Sequence, residues 1–167
     1  MQNSLEEHAR RYATQAHADA GQRRKYTDEP YIVHPAAVAE LVRSVSDDDA
    51  LLAAAWLHDT VEDTPTTLAD IDTLFGARVA SLVEMLTASA PASAKNRAAR
   101  KLAHFRHTAS ASPEAQTIKL ADIIDNTRAI VRFDPHFARI YLVEKRVQID
   151  LLKQGDAQLW QQASTII

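Results

Sequence analysis

The feature that most constrains the fold is the run "LLAAAWL" at residues 51–57, in which every side chain is apolar. A helix that is apolar on all sides belongs at the centre of a helical protein, because it has no face to turn to water. Directly before it, "SDDD" at residues 46–49 supplies side chains that cap helix N-termini. The sequence therefore predicts a short, buried, central helix.

Helical periodicity continues on both sides of this run. Ser4 followed by Glu7 has the spacing of a capping box and predicts a helix over "SLEEHARRYATQAHADA". Pro35 suits the first turn of a helix that continues through "AAVAELVRSV". Gly76 separates two amphipathic patterns, "TPTTLADIDTLF" and "ARVASLVEMLT", and Thr64, just before Pro65, is the expected cap of the first of them.

The second half of the chain has the same character. After the linker-like "ASAPASA" at residues 88–94, three helical patterns cover roughly residues 95–108, 113–130 and 134–153. No stretch combines alternating polarity with enough β-branched residues to predict a strand. We therefore expect residues 1–167 to form a single all-α domain, a helical bundle.

Composition excludes several classes of protein. A net charge of −3 argues against a dedicated nucleic-acid-binding protein, which would carry a basic excess. No apolar stretch approaches the roughly 20 residues needed to span a bilayer. The chain has no cysteine, hence no disulfide and no thiolate metal ligand, and its N-terminus lacks the pattern of a signal peptide. We expect a cytoplasmic protein.

The apolar run ends abruptly in His58 and Asp59. Burying a carboxylate beside an imidazole is costly unless an opposite charge compensates, and a divalent cation does this well. Such a site needs more ligands from elsewhere in the chain. His34 in "PYIVHP" and Asp122 in "IKLADIIDN" are the candidates, since each lies beside an apolar run.

Five sequence blocks resemble a known family in their order along the chain: "GQRRK", "PYIVHPAAVA", "WLHDTVEDT", "FGARVASLVEMLT" and "IKLADIIDN". They are similar to the hydrolase domain of the stringent-response alarmone enzymes, which are HD-domain metal-dependent phosphohydrolases. The likeness is greatest to the short, single-domain type that removes the 3′-pyrophosphate of ppGpp. It implies an HD-type helical bundle and a small-molecule nucleotide substrate.

The resemblance also implies a metal site. His34, His58, Asp59 and Asp122 would hold one divalent ion, which is Mn²⁺ in the family. Two nitrogen and two oxygen ligands would also suit iron, cobalt or zinc.

The remaining site residues implied by the resemblance act on water and substrate. Glu62 and Asp63 would orient and deprotonate the attacking water and protonate the leaving group. Arg24 and Lys25 match a basic pair at the nucleotide pocket, with Arg24 contacting the base. Asn126 would hydrogen-bond ribose or phosphate.

Two alternative functions stay open. Ile123 stands where the family commonly has a basic residue, and Asp125 adds a negative charge beside Asn126. These departures favour an HD-domain phosphohydrolase that acts on another nucleotide or phosphate ester. A non-catalytic sensor of metal and nucleotide is the third reading, and the intact Glu62 and Asp63 argue against it.

Further charged residues receive no firm role from the sequence. Lys95, Arg97, Arg100 and Lys101 lie on one predicted helix face, which is most simply a solvated surface, although it could also lie over substrate phosphates. His104 is unremarkable in this pattern.

Overall fold

The computed structural model describes residues 4–88 and 96–167. The linker-like stretch predicted at residues 88–94 therefore lies outside the described residues, apart from Ala88, and so does Lys95. The described part contains these α-helices in chain order: α1 Leu5–Asp19, α2 Val33–Arg43, α3 Asp49–Leu57, α4 Thr60–Asp63, α5 Leu68–Phe75, α6 Ala77–Leu86, α7 Arg97–Ala109, α8 Pro113–Phe133, α9 Pro135–Asp150 and α10 Ala157–Ile166.

The predicted all-α class is confirmed. Within residues 4–88 and 96–167 there is no strand, and β-type pairing is limited to an isolated bridge between Arg23 and Pro30. Not one of the described helices has both the length and the apolar character needed to cross a bilayer. Helix α10 was not predicted from the sequence.

Helix α3 lies at the centre of the bundle, as its sequence predicts. Residues 51–57 are all buried, and the helix packs against α1, α2, α6 and α8. Asp48 caps its N-terminus by accepting hydrogen bonds from the amides of Ala50 and Leu51. Each fully buried leucine contributes about 1.5–3 kcal/mol, so the burial of α3 anchors the elements around it.

The helix boundaries follow local capping chemistry. The hydroxyl of Ser4 accepts a hydrogen bond from the Glu7 amide at 3.1 Å, which confirms the predicted N-cap of α1, whereas the Glu7 carboxylate pairs with Arg10 and Arg11. Gly76 ends α5 and begins α6 with a φ of 96°, which glycine adopts without steric cost. The predicted cap at Thr64 was wrong, because α5 begins at Leu68. At the start of α5, Thr67 and Asp70 form the reciprocal hydrogen bonds of a capping box. Thr64 and Pro65 do not form such a pair.

Three helices bring the candidate site residues together. Helix α8 packs against α2 and α3, and both α9 and α10 pack against α8. The first turn of α2, the C-terminal end of α3 and the middle of α8 therefore face one another. The residues predicted from the sequence as metal ligands lie at this junction.

Candidate metal centre and adjoining cavities

The predicted metal ligands converge from three separated segments. His34 lies in the first turn of α2, His58 ends α3, Asp59 precedes α4, and Asp122 lies in the middle of α8. One ligand atom from each residue lies within 4.8 Å of the others. The two histidines and Asp122 are buried, and Asp59 is partly exposed. The geometry is that of a site able to hold a single cation.

The end of α3 explains how two adjacent residues reach the same point. The Nδ1 of His58 donates to the carbonyl of Ala55 at 2.7 Å, and the Thr60 hydroxyl donates to the carbonyl of Leu57 at 2.7 Å. These contacts satisfy carbonyls that a helix end leaves without partners. Adjacent residues in a continuous helix project about 100° apart. The break between α3 and α4 allows His58 and Asp59 to turn toward the same centre.

The orientation of the imidazoles shows that the residues present fit a cation. The Nδ1 of His58 faces a carbonyl and that of His34 faces Asp125, so in the neutral rings each Nε2 carries a lone pair. The Nε2 of His34 lies 2.8 Å from Asp122 Oδ1, and the Nε2 of His58 lies 3.1 Å from Asp59 Oδ2. Acceptors therefore face acceptors, and a positive ion between them resolves the repulsion. Two imidazole nitrogens and two carboxylate oxygens suit a divalent transition metal.

The pKa shifts point the same way. Burial alone would lower the pKa of His58, but Asp59 and Asp122 outweigh it and raise that pKa well above its usual value. Burial alone would raise the pKa of Asp122, but Lys119 and the two histidines hold it well below its usual value. In the absence of a metal, protons on the imidazoles balance the negative charge of the carboxylates. A bound metal would displace these protons.

Further side chains hold the ligands in place. The hydroxyl of Tyr31 donates to Asp59 Oδ2 at 2.6 Å, and the ammonium of Lys119 donates to Asp122 Oδ2 at 2.8 Å. Partners of this kind orient ligands and tune the metal. Sequence reasoning did not identify Tyr31 or Lys119 as part of the site. Lys119 could have been found, because it precedes Asp122 by three residues on the same helix face.

The carboxylate of Asp125 contacts residues of the site instead of adding negative charge to a neighbouring cavity. Its Oδ2 lies 2.7 Å from the Nδ1 of His34 and 3.3 Å from an Nη atom of Arg24. It does not line either of the two cavities beside the cluster within the described residues. The expected conflict between Asp125 and a polyanionic ligand is therefore removed by these two contacts.

The acidic pair Glu62 and Asp63 lies in the short helix α4. Both residues are more than a third exposed, and the Glu62 carboxylate accepts a hydrogen bond from the Ala88 amide. Partial desolvation raises the pKa of each carboxyl, and the negative charge of Asp59 raises it further. Glu62 lines the larger of the two cavities beside the cluster, whereas Asp63 does not. Carboxyl groups with raised pKa values are suited to proton transfer.

The residues predicted to contact substrate also meet in space. Arg24 donates to Asn126 Oδ1 at 3.1 Å, and the Asn126 amide donates to Asp122 Oδ1 at 3.0 Å. Arg24, Lys25 and Asn126 line a cavity of about 270 Å³ together with Tyr26 and Phe137. Asn126 is shared with the larger cavity, so the two cavities adjoin at this residue.

The larger cavity, about 420 Å³, joins the metal cluster to a basic wall. His58, Asp59 and Asp122 line one side. The lining also contains Glu62, several uncharged residues, and the following cationic side chains and one histidine: Arg97, Arg100, Lys101, His104, Lys119 and Lys145. The basic face of α7 is thus turned to a cavity rather than only to bulk solvent.

Comparison with known proteins identifies the family. The sequence profile described as "HD domain" matches residues 9–148. A protein of Synechocystis sp., named a probable guanosine-3′,5′-bis(diphosphate) 3′-pyrophosphohydrolase, is 37% identical over 121 residues. These residues are 71% of this chain and 16% of that protein, so the chain spans about one sixth of the length of this relative. The mouse guanosine-3′,5′-bis(diphosphate) 3′-pyrophosphohydrolase MESH1 is 40% identical over 123 residues, 72% of this chain and 67% of that protein.

Solved structures agree with this assignment. The chain superposes on a metazoan orthologue of SpoT, described as hydrolysing ppGpp, with a TM-score of 0.87 and 30% identity. The match covers 99% of this chain and 95% of the other. A Listeria monocytogenes protein matches with a TM-score of 0.67 at 23% identity, over 84% of this chain and 96% of that chain, and this likeness shows the fold alone.

Proposed function

The chain belongs to the HD-domain family, and from this premise we propose that it is a metal-dependent hydrolase of guanosine polyphosphates. It would convert ppGpp and pppGpp to GDP and GTP, with release of the 3′-pyrophosphate. The observation that carries the proposal is the convergence of His34, His58, Asp59 and Asp122 beside a cavity. His58, Asp59 and Asp122 line this cavity together with five lysine and arginine side chains. Relatives and a structural neighbour with this named activity support it.

The four converging residues would hold the metal ion. We propose Mn²⁺ as that ion, although the donor set also accommodates iron, cobalt or zinc. A divalent ion bound there neutralises charge on phosphoryl oxygens and lowers the pKa of water. Asp125, Tyr31 and Lys119 would keep the ligands oriented through the contacts described above.

The acidic pair would move the protons of the reaction. In the hydrolysis, the oxygen of water bonds to the phosphorus attached to O3′, the P–O3′ bond breaks, and O3′ gains a proton. Glu62, at the cavity wall, and Asp63 beside it would orient the water, accept its proton and return one to O3′. Their raised pKa values support this assignment, because a raised pKa makes a carboxyl group better able to accept a proton and return it.

The smaller cavity would take the nucleoside. Arg24 presents a planar guanidinium that can stack on a purine and donate to its oxygen, and Lys25 lies beside it. Asn126, at the junction of the cavities, would contact ribose or phosphate. The nucleotide is the partner that we propose, with no role for nucleic acid or membrane, and the cytoplasm is the proposed location.

One observation favours a second candidate function. Ile123 is 1% exposed and lines the larger cavity, which places an apolar side chain close to where substrate phosphates would bind. An HD-domain phosphohydrolase with another nucleotide or phosphate ester as substrate would also fit this wall.

The experiment is a turnover assay on purified protein of measured metal content. The substrates are ppGpp, pppGpp, a nucleoside monophosphate and a cyclic dinucleotide, with Mn²⁺ present, and anion-exchange chromatography identifies the products. Release of pyrophosphate and GDP from ppGpp supports the proposal. Turnover of another substrate alone supports the second candidate. Tight binding of ppGpp without turnover, unchanged in Glu62→Gln, supports a sensor.

A further inference from the structure

Lys145 on α9 is a buried cation without an acidic partner. The residue is 6% exposed, and its ammonium donates to Gln148 Oε1 at 2.7 Å. It lies 5.7 Å from the ring centroid of Phe105 and 5.2 Å from that of Tyr141. Among the residues that the structure describes, no carboxylate lies within ion-pair distance of it. Burial of a charge without an opposite charge is strongly unfavourable, so the arrangement requires an explanation.

The surroundings of Lys145 add to its positive charge. Lys101 and Lys119 line the same cavity, and the carboxylate of Asp122 is already engaged by Lys119 at 2.8 Å. Burial, followed by the charges of Lys119 and Lys101, lowers the pKa of Lys145 to about 7. The buried Nδ1 of His104, on the same wall, has no hydrogen-bond partner in the described structure. The wall therefore contains a buried ammonium without a carboxylate partner and a buried imidazole nitrogen without a hydrogen-bond partner, among the residues that the structure describes.

The position of the wall relative to the metal cluster indicates which anion it serves. Lys119 contacts Asp122, so the cationic wall begins directly beside the cluster. The scissile phosphorus must lie at the cluster, and the second phosphorus of the same diphosphate is only one bridging oxygen away. The nucleoside extends in the other direction, through Asn126 into the smaller cavity. The terminal phosphate of the leaving group is thus the nearest anion to the wall.

We propose that Lys145, together with Lys101 and Lys119, forms a subsite for the terminal phosphate of the departing pyrophosphate. The assignment rests on the proposed function for the identity of the anion. The shared chemistry is a diphosphate, which could also come from the 5′ end of the nucleotide. In the subsite, the lysines would donate charge-assisted hydrogen bonds to the phosphate. The phosphate would provide the negative charge that the buried ammonium of Lys145 lacks among the described residues.

The test compares Lys145→Met with wild type. Methionine keeps an unbranched side chain, one atom shorter than that of lysine, and suits an aromatic environment, but it removes the charge. Lys153→Met, at an exposed lysine, is the matched control. Titration calorimetry on metal-loaded protein measures binding of inorganic pyrophosphate and, separately, of GDP, and metal content is determined after each titration. We expect Lys145→Met to weaken pyrophosphate binding about tenfold or more, while GDP binding and metal content match wild type.

Two outcomes would overturn the assignment. Equal pyrophosphate affinity in Lys145→Met and wild type removes the subsite, and loss of GDP binding with pyrophosphate binding unchanged reassigns it to the 5′-diphosphate. The binding measurement does not depend on turnover. If wild type fails to hydrolyse ppGpp but Lys145→Met still loses pyrophosphate, the proposed function fails and the anion subsite stands. If wild type hydrolyses ppGpp and pyrophosphate binding is unaffected, only the subsite fails.

Discussion

The Nδ1 of His34 lies 2.7 Å from Oδ2 of Asp125, and this contact turns the other ring nitrogen toward the candidate metal centre. Asp125 also contacts Arg24, which lines the proposed nucleoside cavity. A single carboxylate therefore links a candidate metal ligand to a candidate substrate residue. Carboxylates that bind the far nitrogen of a histidine ligand fix its tautomer and strengthen it as a ligand.

This relationship predicts that Asp125→Asn weakens metal binding. The amide keeps the size of the side chain but removes the negative charge that supports His34. We expect the affinity for Mn²⁺ to fall about 10- to 100-fold, measured by calorimetric titration of metal-free protein. Asp150→Asn, at an exposed carboxylate on α9, is the control and should bind as wild type does. Unchanged affinity in Asp125→Asn would show that the contact does not support a metal ligand.

The acidic pair should govern turnover rather than metal content. Glu62→Gln and Asp63→Asn each remove a group that exchanges protons, and we expect kcat for ppGpp to fall about 100- to 10,000-fold. Metal content, measured by elemental analysis, should equal that of wild type, and Asp72→Asn on α5 serves as an exposed control. Loss of metal from Glu62→Gln or Asp63→Asn would instead place that residue among the ligands.

Arg24 and its neighbour Arg23 offer a matched pair for the nucleoside cavity. Arg24 donates to both Asn126 and Asp125, whereas Arg23 is more exposed and pairs with Asp28. Lysine cannot reproduce the planar fork of arginine. Arg24→Lys should raise KM for ppGpp about tenfold, and Arg23→Lys should leave it unchanged. Steady-state kinetics would contradict the assignment if both variants gave the same KM.

Metal binding should stabilise the fold, because the ligands come from α2, the end of α3 and α8, and converge only in the folded chain. At 100 times its dissociation constant, Mn²⁺ should raise the free energy of unfolding by about 2.7 kcal/mol. Urea denaturation with Mn²⁺ and with a chelator measures the difference. In His34→Ala the difference should largely disappear, and a full effect in that variant would exclude His34 as a ligand.

Lys145 should make the stability of the metal-free protein depend on pH. Its pKa is about 7 in the folded protein against 10.5 for a free lysine. Below pH 7 both folded and unfolded states are protonated, so the cost of the buried charge is fully present. Between the two pKa values the folded state loses the proton while the unfolded state keeps it, and wild type gains stability as pH rises.

The corresponding measurement is urea denaturation of wild type and Lys145→Met from pH 6 to pH 10. The variant should be the more stable protein at pH 6, and its advantage should shrink as pH rises above about 7. Lys153→Met should track wild type throughout. A variant that is less stable than wild type at pH 6 would show that Lys145 contributes favourably to the fold.

The helices were readable from the sequence because their signals are local. The apolar run at residues 51–57 predicts the buried α3, and Ser4 and Gly76 mark helix boundaries through groups only a few residues away. Thr64 shows the limit of this reasoning, since "TPTT" offers several capping residues and only the reciprocal bonds between Thr67 and Asp70 select one.

His58 and Asp59 were named from the sequence because they terminate an apolar run, and His34 and Asp122 because each lies beside one. The likeness to a family assigned all four to one metal ion. The tertiary structure alone decided which other charges meet them. Lys119, Asp125 and Lys145 lie on α8 and α9, and their contacts depend on which helix faces pack together. Helix periodicity shows which residues share a face. It does not show what that face meets, because packing is determined by contacts between residues far apart in the chain.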